Sequence, residues 1–173
     1  MSCLVQIGNI HIGKKENAVS TASDVAEVSA LWNELVARYD IIEFTQIMQN
    51  FTHDIDLKFI LTKGLSDTLE LQVNKLEEEM NKLQIPLPGR PPKSVNTPST
   101  TSLLEDKHIF ILVFTGIQNM LIGHMKHIQA MTTTDSLRKM FIEFLNQELN
   151  LFDKMVLYGK IKGWLRSPPK YTP

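Results

Sequence analysis

The sequence predicts an all-α protein: a four-helix bundle whose helices run up, down, down, up. Three observations carry this prediction. Apolar residues recur at three- and four-residue steps through four long segments, residues suited to capping stand before those segments, and a proline-rich stretch too long for a turn separates the second from the third. At 173 residues the chain can bury one sizeable core without disulfides or metals, so a single domain is the economical reading. It divides into an N-terminal arm over residues 1–22, the bundle over 23–158 with its crossover at 85–102, and a tail over 159–173 that packs on the bundle.

Ser23 or Asp24 supplies the oxygen that satisfies exposed N–H groups at the start of the first helix, over residues 24–51. There Val28, Leu31, Trp32, Leu35, Tyr39 and Ile42 fall on one stripe. The pattern slips near residues 52–56, where Thr52 and Asp54 can cap a second helix. This helix reaches residue 83 with Leu61, Leu65, Leu69, Gln72, Leu76, Met80 and Leu83 inward. Residues 85–102 contain Pro86, Pro88, Pro91, Pro92 and Pro98, which forbid a continuous helix. Extended at about 3.1 Å per residue they reach roughly 55 Å, more than the roughly 42 Å of a 28-residue helix, so the second and third helices are expected to run parallel. The third helix covers residues 103–131. Thr132, Thr133 or Thr134 caps the fourth, which presents Leu137, Phe141, Phe144, Leu145, Phe152 and Met155 inward and is expected to end near Tyr158, before Gly159.

The third helix is apolar on most sides: Ile109, Leu112 and Met120 lie away from Phe110, Phe114, Ile117 and Leu121. Such a helix must be covered on most sides, by the tail, the arm or a second subunit, and a homodimer is the expected assembly. Eighteen basic against nineteen acidic residues leave a formal net charge of -1, so no excess of positive charge draws nucleic acid or anionic lipid. Cys3, the lone cysteine, excludes an internal disulfide and a thiolate metal cage. The first twelve residues lack the pattern of an export signal, and the longest apolar run, 109–114, is too short to cross a bilayer. A cytoplasmic protein without a transmembrane segment is expected.

Four-helix bundles with a long crossover include ferritin-like proteins, whose di-metal members need a Glu on two helices and Glu-x-x-His on the other two. At matching mid-bundle height this sequence offers Tyr39, Gln72, Gln118 and Glu148. Only Glu148 is a carboxylate, and Leu151 stands where the motif needs His. The expectation is a satisfied polar layer that fixes helix register, with a ligand pocket lined by the same four residues as the alternative. A second candidate lies where the turn between the first and second helices meets the start of the third: His53, Asp54, Glu105 and His108 offer N and O ligands for iron, manganese or zinc, while the bland reading is helix capping with exposed histidines. His124 and His127, one turn apart, are close enough to share a metal in principle, but no inward acid accompanies them, and they read as edge histidines at a helix or subunit contact. No glycine-rich elbow or phosphate loop supports nucleophilic catalysis.

Five segments in order are Asp54-Ile55-Asp56-Leu57-Lys58, Ile85-Pro86-Leu87-Pro88, Leu103-Leu104-Glu105-Asp106, Leu137-Arg138-Lys139-Met140-Phe141, and Lys162-Gly163-Trp164-Leu165 ahead of Pro168-Pro169. Together they resemble a family of uncharacterised bacterial proteins of spore-formers, ferritin-like bundles related to spore coat protein F. The resemblance covers nearly everything after residue 23. It implies a ferritin-like fold and a place in the spore coat or sporulating cell, but no activity and no catalytic residues. Some members resemble two bundles in tandem, which favours self-association of a single one.

The sequence thus predicts a non-catalytic structural or interaction protein, homodimeric, associated with the spore coat and with other coat proteins as possible partners, and without a cofactor. The competing expectation is a ferritin-like metal-binding protein that uses the carboxylate and histidine ligands named above.

Overall fold

Capping chemistry sets where the helices begin. Asp24 accepts a hydrogen bond from the Glu27 N–H (2.9 Å) and starts α1, Val25–Phe51, while Asp54 accepts from the Leu57 N–H (2.9 Å) and starts α2, Ile55–Gly64. The structure is a computed structural model and describes residues 5–7, 10–12, 23–91, 97–100, 104–166, 168–169 and 171. α2 passes without a break through a π-helical segment, Leu65–Leu69, into α3, Glu70–Lys82. The Glu70 N–H bonds the Leu65 carbonyl, five residues back, and this wider turn rephases the buried face: Leu57 and Leu61 lie inward before it, Gln72, Val73, Leu76 and Met80 after it.

α3 stops in a left-handed residue. Gln84 has φ 56°, its N–H reaches the Asn81 carbonyl (3.1 Å), and the Ile85 N–H reaches that of Met80 (2.9 Å), which delivers Ile85 back onto the core. α4 runs Asp106–Ala130, and α5 runs Asp135–Lys162. α5 therefore extends past Gly159, where a glycine in the sequence suggested its end. A Cβ at position 159 would lie 2.4 Å from Phe110 Cζ and 2.8 Å from Leu165 Cγ, so this glycine allows close packing inside the helix. The stop belongs to Gly163, at φ 69°, where the Trp164 N–H bonds the Gly159 carbonyl (2.9 Å). Trp164 then folds onto Phe110 and Tyr158, with ring centroids 5.8 and 5.6 Å away.

The arm is not wholly irregular. β1, Val5–Ile7, pairs antiparallel with β2, Ile10–Ile12, in the register Val5 to Ile12 and Ile7 to Ile10. Alternating β-branched residues favour strands, which were not expected for the arm from sequence.

Hydrogen bonds fix which helix ends meet. At one end the Asp106 carboxylate, in the first turn of α4, accepts from the His53 and Asp54 N–H groups (2.8 and 3.0 Å) in the turn between α1 and α2, while Lys162 at the end of α5 reaches Asp54 (2.7 Å). At the other end Glu27, in the first turn of α1, accepts from the Thr133 and Thr134 N–H groups (3.0 and 2.6 Å) between α4 and α5. The proline-rich crossover is held at two distant places. Arg90 forks onto Glu77 of α3 (2.7 and 2.8 Å), and the Ser99 N–H bonds the Asn50 carbonyl in the last turn of α1 (2.7 Å).

Two apolar clusters fill the bundle. One gathers Leu31, Leu35, Leu76, Met80, Leu137, Phe141 and Phe144; the other gathers Met48, Leu57, Leu61, Ile109, Phe110, Ile117 and Met155. Along α4 and α5 the residues between the clusters include His124 and Glu148, and Arg38 of α1 reaches them from beside Leu35 and Tyr39; all three are buried. Trp32, expected in the core, is 39% exposed, because the inward face of α1 is partly polar: Glu27, Glu34, Arg38, Thr45 and Gln49 occupy it.

Gly159→Ala should cost about 1–3 kcal/mol through overpacking against the Phe110 ring. Urea unfolding measures this, and an unchanged midpoint would show that the α4–α5 contact is looser than described.

Candidate functional site

The centre of the bundle is organised by one guanidinium. Arg38 is fully buried, although arginine is among the residues least often found inside, and each of its nitrogens faces a partner from the bundle. Nη1 donates to Glu148 Oε1 on α5 (2.9 Å), and Nη2 donates to His124 Nε2 on α4 (2.6 Å). Nε stands 2.9 Å from Glu34 Oε1, one turn back on α1; the separation is that of an ion pair, but the N–H is not aligned for a hydrogen bond. Because His124 Nε2 accepts, this imidazole carries its proton on Nδ1, which lies 3.7 Å from Glu34 Oε1. His127, one turn further on, places Nδ1 2.9 Å from Glu34 Oε2. The two imidazoles meet the rings of Phe144 and Phe141 edge-on.

Burial works to raise the Glu34 pKa. The hydrogen bond from His127 and the positive charge of Arg38 outweigh it, and the carboxyl titrates below its ordinary value. The layer holds two carboxylates, Glu34 and Glu148, against one obligatory cation, Arg38. Chemically it is an ion-pair network shared by α1, α4 and α5.

Of the four residues expected in a mid-bundle layer, only Glu148 belongs to it. Tyr39 donates its hydroxyl to Glu77 at the bundle edge, with the Arg90 guanidinium 5.8 Å from its ring centroid. Gln72 is buried and donates to Gln147 (2.7 Å), while Gln118 is exposed on the outer side of α4. Glu34 and Arg38 went unrecognised in the sequence. Their signal was an acid and a base four residues apart within the Leu31-to-Ile42 stripe. His124 is no edge residue; its acids come from α1 and α5 rather than from its own helix.

The second candidate does not converge. His53 is exposed and takes part through its backbone N–H, Glu105 and His108 face each other at the surface 3.7 Å apart, and Asp54 is occupied by the Leu57 N–H, the Tyr158 hydroxyl (3.0 Å) and Lys162. Lys162 supplies the positive charge at that end. Among the described residues no group of three His, Cys, Asp or Glu side chains is placed to hold a metal ion.

α4 meets the length and composition of a membrane-crossing helix, which its short apolar run alone did not indicate. It lies along α5, stacked through Phe114 on Phe152 at 5.4 Å, with Ile109, Phe110, Ile117 and His124 buried and most of its other residues facing outward.

Fold and layer together define a helical bundle closed around a buried ion network. The chain belongs to the DUF3231 family of proteins of unknown function, whose profile matches residues 13–173. No curated protein matches it. Among solved structures it is similar to a putative spore coat protein of Bacillus halodurans C-125, with 22% identity, TM-score 0.80, and coverage of 87% of this chain and 96% of that one. It is also similar to a conserved hypothetical protein, Rv2844, of Mycobacterium tuberculosis, with 11% identity, TM-score 0.64, and coverage of 79% and 99%. At these identities the likeness establishes the shared helical fold.

Arg38→Met should cost about 3–5 kcal/mol, because Glu34 and Glu148 stay buried without their cation. Replacing all three by uncharged residues should recover part of that loss in chemical denaturation. With its folded pKa lowered, Glu34 binds fewer protons folded than unfolded. Its contribution is therefore complete above the ordinary value of 4.5 and is lost as pH falls through the lowered one. Melting temperature measured downward from pH 5 should fall less steeply in Glu34→Gln than in wild type.

Proposed function

We propose that this protein is a non-catalytic structural component of the spore coat or of its assembly: a ferritin-like bundle, up, down, down, up, that works as a homodimer. The observation that carries this reading is the Arg38 guanidinium at the bundle centre, where carboxylates and an imidazole from three helices are directed onto a fixed side-chain cation. Donors committed in this way stabilise a scaffold rather than a reacting metal. The topology is supported by the meeting of the α2 and α4 starts near the end of α5 and by the crossover's reach from Arg90 to Ser99. The spore assignment rests on fold likeness to the Bacillus halodurans protein.

The second copy is placed on the outer face shared by α4 and α5. Phe114 and Phe152 stack there, both half-buried, and that register sets Met125 near Ile142, with Leu149 on the same stripe of α5. Met125, Ile142 and Leu149 are 49, 41 and 46% exposed, large apolar side chains of the kind that twofold association buries.

Sedimentation equilibrium should give twice the chain mass, and Leu149→Glu should return the monomer with its helicity intact. A wild-type monomer at high concentration, or one that partitions onto phospholipid vesicles through this face, would overturn the dimer. Metal analysis of protein purified without chelator should give substoichiometric iron, manganese and zinc; one full equivalent of any of them would overturn the scaffold reading.

A further inference from the structure

A cleft opens beside the Arg38 layer, walled by Ile41 and Thr45 of α1, Gly64 at the π segment, Val113 and Gly116 of α4, and floored by Glu148 of α5. It has an open volume of ≈ 90 Å³, room for roughly six groups of water or methylene size at about 15 Å³ each. Its wall is apolar almost throughout, and the polar groups gather at its floor.

Three independent features keep this space from closing. Gly64 and Gly116 sit inside helices with ordinary φ angles, and a Cβ at either would meet nothing within 4 Å. Neither turn geometry nor close packing accounts for them, although each costs about 1 kcal/mol relative to alanine in a helix. The π segment adds its wide turn between Gly64 and Leu69, both of which line the cleft; such segments concentrate at functional sites because they trade helix geometry for local shape. Finally, Thr45 and Glu148 are 93% and 98% buried by their 7% and 2% exposure. Both line the cleft, and Glu148 meets Arg38 through Oε1 at 2.9 Å.

We infer that this cleft is a binding site for a small aliphatic molecule with a hydrogen-bond-donating head, an alcohol or amine, whose chain lies along the Gly64–Gly116 walls and whose head donates to Glu148. The charge count selects the head. Arg38 already serves Glu34, Glu148 and His124, and the layer holds two carboxylates against that one cation, so a donor is welcomed and an anion is repelled.

The test uses the full chain with 1-pentanol, pentylamine and pentanoate as probes, followed by amide chemical shifts. Pentanol, pentylamine or both should give saturable shifts centred on Gly64 and Gly116, with the stronger of the two naming the native head. Pentanoate should bind at least about tenfold more weakly than that probe. Gly116→Leu fills the cleft and should abolish saturation while melting no lower than wild type; Gly116→Ala, which adds one methyl into open space, should weaken binding less and raise the melting temperature. The site is refuted by non-saturating shifts, by binding that survives undiminished in both Gly116 variants, or by pentanoate binding as well as the stronger of the other two probes. These outcomes are independent of the dimer and metal measurements.

Discussion

Everything at the middle of this bundle answers to a guanidinium that cannot lose its proton. Arg38 is wholly buried, and a buried charge is tolerable only when partners replace water around it. Those partners come from three helices: Glu34 from its own, His124 from α4 and Glu148 from α5. Sliding one helix by a turn would strand a carboxylate in the apolar clusters on either side. The network thus selects a register, a role ion pairs fill better than they fill net stabilisation.

The same arrangement separates two packing problems. Toward one end Leu31, Leu76, Phe141 and Phe144 interlock; toward the other Leu57, Ile109, Phe110 and Met155 do, with Gly159 admitting the Phe110 ring and Trp164 closing over it. Each end is also tied by acids to backbone N–H groups, Glu27 to the α4–α5 loop and Asp106 to the α1–α2 turn, so loops and helix starts satisfy one another.

The helices were legible because 3.6-residue periodicity and capping residues are local signals, and residues 85–102 declared themselves through proline. Glu148 was legible as a lone acid on an apolar stripe. Arg38 was not, because a long side chain beside Tyr39 ordinarily carries its charge to the surface, and the partners that keep it inside lie 110 and 86 residues away. Gly159 misled for a related reason: a glycine reads as a helix end unless the ring it accommodates, Phe110, is known to lie across from it. The π segment left no trace, since Leu61, Leu65 and Leu69 satisfy an ordinary helical stripe, and only their tertiary neighbours reveal the added residue.

The crossover, clipped at Arg90 and again at Ser99, has a consequence for how the chain assembles. α1 through α3 form one helical hairpin and α4 with α5 another, each able to form early from contacts close in sequence. The crossover is a tether that keeps the second hairpin at high effective concentration beside the first. Cutting it would leave every helix intact yet turn the last step, in which Glu148 and His124 close on Arg38, from a unimolecular event into an encounter between two fragments.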